Sequence, residues 1–282
     1  MNIIISKTEK VNLKSINSSN QNAAIGIFDS GIGGLSIAKC ISKQLPNENL
    51  IYVADSLHAP YGDKSVDFII ERVNLIAQQL INQGVKALVI ACNTATVNAI
   101  KQLRTRVGIP VIGVEPAIKP AAKLSKAKKV AVLVTQATSE NKRFLSLINE
   151  HHNGAQVIIQ PCPGLVEIIE QGQQHSPACQ VLLQSYLQPL LSQGIDTLVL
   201  GCTHYPFVQQ QINAITGNAI QVVETAEPVT LQLSRQLAQT NIVNSSNQLG
   251  HHQFFSSEPS ENQQQLFNQL WQTEVNLKPF IR

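Results

Sequence analysis

From Ala23 onward the chain alternates short apolar runs with longer stretches whose apolar residues recur at helical spacing. The apolar runs are AIGIF at 24–28, LIYVA at 50–54, KALVIA at 86–91 and VIGV at 111–114. Between them, 36–45, 65–83 and 94–106 carry the spacing of amphipathic helices. This alternation predicts a largely parallel sheet covered by helices, an α/β fold. Residues 1–22 are rich in Ser, Asn and Lys, lack sustained periodicity, and read as a flexible extension.

The pattern then recurs. QQLINQGVKALVIACNT at 78–94 lines up with LQPLLSQGIDTLVLGCTH at 187–204, which sets Gly84 over Gly194 and Cys92 over Cys202, both 110 residues apart. AIGIFDS at 24–30 parallels VAVLVTQAT at 130–138, and VIGVEPA at 111–117 parallels IQVVETA at 220–226. A repeat of this kind predicts two pseudo-symmetric α/β domains with a cleft between them. The boundaries read as 23–116 plus 226–282 for the first domain and 117–225 for the second, after the extension at 1–22.

Charge narrows the class of partner. Of 282 residues, 21 are Lys or Arg and 18 Asp or Glu, a net charge of +3. Lys7, Lys10 and Lys14 against Glu9 place +2 of that in the first 22 residues, leaving +1 on the rest. With aromatic residues at only 5%, nucleic acid is not expected as a primary ligand. No apolar run approaches the ~18 residues of a membrane helix, and the three isoleucines at 3–5 are too short for a signal-peptide core, so the expectation is a cytoplasmic protein. The five cysteines, Cys40, Cys92, Cys162, Cys179 and Cys202, are odd in number and form no CxxC. They indicate thiols rather than a disulfide framework or a zinc cluster.

In each half a cysteine ends a buried strand and precedes a polar pair, Asn93–Thr94 or Thr203–His204. Ligands of open α/β sheets bind beyond the carboxyl ends of the strands, so facing ends would set Cys92 and Cys202 on opposite sides of one small ligand. The loop DSGIGG brings Asp29 and Ser30 to the same end. It matches neither a dinucleotide fingerprint nor a phosphate loop, and it offers helix N-terminal amides suited to a carboxylate. Tyr61 and Gly62 follow Pro60 in a turn after the second strand. Glu167 and Glu170, three apart on one helical face, have surface positions as their default reading. His204 is the one histidine beside a strand-end cysteine, and nothing at metal-ligand spacing joins it.

Two thiols flanking one carbon fit the inversion of a stereocentre with an acidic C–H, where a base on one face and an acid on the other exchange roles with direction. A free cysteine titrates near ~8.5, so one of them needs a helix N-terminus or a hydrogen-bonding group to favour its thiolate. His204 is placed to assist Cys202, and Asp29 to handle a proton near Cys92.

The motifs FDSGIGGLS, APYGDKS, ACNTATVNA, GVEPAIKPA and LGCTHYPF together resemble the glutamate racemase family, of the cofactor-independent aspartate/glutamate racemase fold, over about 26–254. The resemblance implies interconversion of L- and D-glutamate, with D-glutamate supplied for peptidoglycan, cell-wall biogenesis and cell shape. It implies no pyridoxal phosphate, metal or nucleotide. On the family pattern Cys92 and Cys202 are the proton donor and acceptor, Asp29 and His204 assist them, and Glu170 is a further acidic site residue. Asp29–Ser30, Tyr61–Gly62, Asn93–Thr94 and Thr203–His204 would hold the substrate. Glu224-Thr225-Ala226 stands where many relatives read Asp-Ser-Gly. Some extended members are activated by a cell-wall precursor, so such an activator is among the partners the resemblance admits, as is a second copy in a homodimer. The competing readings are an aspartate or hydantoin racemase of the same fold, and a two-lobed amino-acid-binding protein without chemistry.

Overall fold

The computed structural model describes residues 20–280 apart from 218. The expected extension at 1–22 thus lies outside the described residues except for its last three. Of these, Gln21 O accepts from Lys86 Nζ (2.5 Å) and Asn22 O from Asn49 Nδ2 (2.8 Å).

The chain opens with β1 (Ile25–Asp29), α1 (Leu35–Gln44), β2 (Leu50–Ala54), α2 (Val66–Asn82), β3 (Ala87–Ile90), α3 (Asn93–Arg106) and β4 (Val111–Gly113). It continues through α4 (Ile118–Leu124), β5 (Lys129–Val134), α5 (Gln136–Ser139), α6 (Lys142–His151), β6 (Gln156–Pro161), α7 (Leu165–Glu170), α8 (Pro177–Ser192), β7 (Thr197–Leu200), α9 (Gln209–Thr216) and β8 (Gln221–Val223). It ends with α10 (Ala226–Gln239), β9 (His252–Ser256), α11 (Glu261–Trp271) and β10 (Leu277–Pro279).

Two parallel sheets result, β10-β9-β2-β1-β3-β4 and β6-β5-β7-β8. Each contains the same central order, second strand, first, third, fourth, which is the sequence repeat expressed as topology. The strands β1, β2, β3 and β7 are buried along their whole length, as apolar runs flanked by helices on both faces must be. The repeated glycines have a local cause. Gly84 (φ +78°) and Gly194 (φ +76°) end α2 and α8 in the left-handed conformation, which costs a residue without Cβ little.

The halves differ after the cysteine. In the first, α3 begins at once and runs 14 residues. In the second a short 3-10 turn, Tyr205–Val208, precedes an eight-residue α9. Beyond the repeat the chain returns to the first sheet: α10 packs on α1, β9 pairs with β2 and β10 with β9. Tyr52, Phe254, Phe267 and Trp271 lock this return, with edge-to-face ring contacts at 5.9 Å for Tyr52–Phe267 and 4.9 Å for Phe254–Trp271. No described helix is long and apolar enough to cross a membrane.

Candidate active site

Because both sheets are parallel, each collects its strand ends on one edge, and residues from the two edges line a single small cavity. Ser30, Tyr61, Gly62, Cys92, Asn93 and Thr94 come from the first sheet's loops, and Thr135, Val166, Cys202, Thr203 and His204 from the second's.

Cys92 is the N-cap of α3, and its Sγ accepts from Ala95 N (3.5 Å), so the sulfur faces the positive end of a helix. Its thiol reaches Ser30 Oγ at 3.7 Å. Burial, with the Asp29 charge added, nevertheless pushes the Cys92 thiol well above the ordinary cysteine range. Asp29, the last residue of β1, is fully buried. It accepts from Ser30 N (2.6 Å), Ser30 Oγ (3.2 Å) and, across the cleft, Thr203 Oγ1 (3.0 Å). Burial raises its carboxyl above the usual range, and the neighbouring His204 pulls it part of the way back.

On the opposite side, Cys202 Sγ lies 3.7 Å from His204 Nδ1, while His204 Nε2 meets Glu170 Oε1 at 2.5 Å. Burial works against a charged imidazole here, yet hydrogen bonds to Cys202 and Glu170 and the Glu170 charge hold His204 well above its ordinary value. Glu170 Oε1 also accepts from Ile32 N (2.8 Å), tying the end of α7 to the loop after β1. The anion at the DSGIGG amides is therefore the protein's own carboxylate, where the sequence had pointed to a ligand's. The amides of Leu35, Ser36 and Ile37 close their own turns on Ile32, Gly33 and Gly34 carbonyls. Both glutamates border a wider outer groove together with Ser56 and Gln263, and Glu170 is the one whose carboxylate reaches His204 and Ile32 N.

The glycines of this loop are demanded by close approach. A Cβ at Gly31 would collide with the Glu170 carboxylate, and one at Gly33 with the His204 ring. At Gly34 it would meet Asp29 Cβ at 2.8 Å and Ala91 Cβ at 2.9 Å.

Asn93 is buried, and neither its Oδ1 nor its Nδ2 has a protein partner, so both remain for a ligand in the cavity. Thr94 Oγ1 shares hydrogens with Thr135 Oγ1 (3.1 Å) and Thr138 Oγ1 (3.2 Å) of the other half. Thr135 was not among the residues expected from sequence, although the parallel of AIGIFDS with VAVLVTQAT sets it opposite Asp29. Asp55 and Arg72, which hold Tyr61 from behind, gave no signal at all. Among the described residues no group of three or more His, Cys, Asp or Glu is arranged to hold a metal ion.

The sequence profile of Asp/Glu/Hydantoin racemases matches residues 33–230. The chain belongs to the Asp/Glu/hydantoin racemase family. It is therefore an enzyme of the isomerase class. Relatives in this family include a glutamate racemase of Ectopseudomonas mendocina (strain ymp), 48% identical over 222 residues, 78% of this chain and 84% of the relative. One from Pseudomonas putida (strain F1) is 43% identical over 261 residues, 92% of this chain and 98% of the relative. Among solved structures, a glutamate racemase isoform from Bacillus anthracis superposes with a TM-score of 0.84 at 30% identity, covering 93% of this chain and 98% of its own. Escherichia coli glutamate racemase in complex with L-glutamate and activator UDP-MurNAc-ala gives 0.81 at 29%, covering 91% and 97%. The aspartate racemase of Picrophilus torridus, 16% identical at a TM-score of 0.51, shares the fold.

Proposed function

We propose that the protein interconverts L- and D-glutamate by a two-base mechanism in which Cys92 and Cys202 exchange the α-proton from opposite faces. The observation that carries this reading is the pair of thiols lining one cavity, one from each sheet, with the Ser30 hydroxyl 3.7 Å from Cys92 and His204 3.7 Å from Cys202. Cys92, raised by burial, favours the protonated thiol. His204, held charged by Glu170, stands beside Cys202 within reach of its sulfur. In this arrangement Cys202 is the base and Cys92 the acid, and after one turnover their roles are reversed.

The α-carbanion needs donors around the adjacent carboxylate. Asn93, the Thr94 hydroxyl and the Tyr61–Gly62 backbone line the cavity where that carboxylate would lie. No cofactor enters this scheme. The cavity volume, about 10 Å3, matches roughly one water, so glutamate enters as the loops move apart and is dehydrated as they close. Glutamate as substrate is favoured by identities of 43–48% to glutamate racemases over most of the chain. On this reading the enzyme supplies D-glutamate for peptidoglycan in the cytoplasm. It works as two α/β domains, 23–116 with 226–282 and 117–225, and a uridine-linked cell-wall precursor acts as activator.

The test is incubation of purified protein with L-glutamate in deuterium oxide, following optical rotation and the α-proton signal. Rotation decaying to zero is expected, with deuterium appearing first in the D-isomer while unreacted L-glutamate keeps its proton. Early deuterium in both isomers would point to a single base; turnover of L-aspartate alone would move the substrate.

A further inference from the structure

The Tyr61–Gly62 segment borders the cavity, but the Tyr61 hydroxyl is directed into the protein, where it donates to Asp55 Oδ2 at 2.6 Å. What the segment has left to offer a ligand is backbone. Between β2 and α2 it consists of two 3-10 turns, Ser56–His58 and Tyr61–Asp63, with no strand or long helix to hold it. Its position against the other half is tight: a Cβ at Gly62 would stand 3.2 Å from Thr135 Cβ.

Asp55 supplies the missing support. It follows β2 directly, its N–H donates to Asp29 O (3.0 Å), and its carboxylate is fully buried. That carboxylate gathers donors from three places. Arg72 on α2 gives Nε to Oδ2 (2.9 Å) and Nη2 to Oδ1 (2.8 Å), His58 in the first turn lies 2.9 Å from Oδ1, and Tyr61 takes the remaining site. A buried carboxylate left unpaired is costly, and the two-pronged guanidinium both neutralises it and fixes its plane. The pair thus staples a strand end, a loop and a rigid helix at one point.

We propose that Asp55 and Arg72 are positioning residues, which hold the Tyr61–Gly62 backbone against Thr135 so that the substrate meets an ordered cavity wall. As a claim about affinity for glutamate this rests on the racemase reading above. As a claim about the segment it stands alone. A segment already ordered does not have to be ordered by the ligand, so its loss weakens binding before it slows the proton transfers.

The experiment measures racemisation kinetics and amide hydrogen exchange on the intact chain and on Arg72→Gln, Arg72→Lys and Tyr61→Phe. For Arg72→Gln, KM should rise about tenfold with kcat within about threefold, and exchange should accelerate in peptides covering 55–65 but not in those covering α3. Arg72→Lys, which keeps the charge and loses the fork, should recover most of the KM. Unchanged exchange at 55–65 in Arg72→Gln overturns the proposal whatever the substrate is, and so does a loss confined to kcat. If the parent chain does not turn over glutamate, the racemase reading fails and exchange alone decides this one. Should Arg72→Gln fail to fold, Tyr61→Phe, which removes one hydroxyl and leaves the Asp55–Arg72 pair, decides it. Faster exchange at 55–65 supports the anchor, and exchange equal to the parent's overturns it.

Discussion

Cys92 and Cys202 are buried at strand ends, where a small side chain is tolerated, so their replacement tests chemistry more than folding. Cys92→Ala or Cys202→Ala is expected to cost racemisation at least ~10^2–10^4-fold, the range of one acid or base, with a preserved circular dichroism spectrum. Cys40→Ala should leave turnover near the parent's; near-normal racemisation in either active-site variant would end the two-base reading. Asp29 yields a second expectation through its titration. Its folded carboxyl is raised above the unfolded value by burial. The parent therefore has this contribution in full below pH ~3.8 and loses it as pH climbs through the raised folded value. Asp29→Asn has no such loss. The Tm difference, variant minus parent, should become more positive from pH 4 to pH 8, and a difference that shrinks with pH would show that the carboxylate is stabilising where it stands.

At the scale of elements, the loop from Gly31 to Gly34 sorts its own substitutions by what each Cβ would strike. At Gly31 the obstacle is the far end of the Glu170 side chain, which can swing away. Gly31→Ala should fold, yet release Glu170 from Ile32 N and from His204, and lose activity by about 10^2-fold. At Gly34 the obstacles are the Cβ atoms of Asp29, the last residue of β1, and Ala91, the residue after β3, both anchored by the central strands. Gly34→Ala should destabilise by roughly 1–3 kcal/mol, as overpacking does, read from a denaturant midpoint. Equal effects of the two on stability would contradict this account. The difference between α3 and the Tyr205–Val208 turn also matters here, since a helix dipole falls on Cys92 while Cys202 relies on a histidine.

For the whole molecule, the return of the chain after the repeat closes the first sheet. β9 covers the edge of β2, and Phe254 and Phe267 cover Tyr52. Ending the chain at Gly250 should expose a fully apolar strand edge and give insoluble protein or loss of the cooperative thermal transition. A soluble, cooperatively folding truncation would mean that the repeat alone is the folding unit. Hydrogen bonds Thr203–Asp29, Glu170–Ile32 and Thr94–Thr135 join the two edges around the cavity, so closure and chemistry use the same residues. Activation by a uridine-linked precursor is checked by assaying the intact chain and one lacking residues 1–19 with and without it. A response that weakens on deletion assigns the tail a regulatory part, and an identical response removes it.

How far a sequence reaches is visible in particular residues here. β1, β2 and β3 were legible because a strand buried on both faces must be a continuous apolar run, and α1, α2 and α3 because one face of each must be apolar at helical spacing. The repeat was legible because equal topology reuses equal signals: a left-handed glycine after the helix and a small thiol after the strand. Together with the motif resemblance this placed Asp29 and Cys92 at the strand ends of one half and Cys202 and His204 at those of the other. The motif resemblance pointed to Glu170, while the local pattern left it level with Glu167 on one helical face, and the reason came from tertiary structure: Glu170 is the one that meets Ile32 N and His204. Tertiary structure also decided that the amides after β1 hold an internal carboxylate, that Thr135 closes the cavity from the far side, and that Asp55 and Arg72 brace Tyr61. Each of these is a contact between residues distant in the chain, set by how two sheets face one another, and local periodicity carries no record of that.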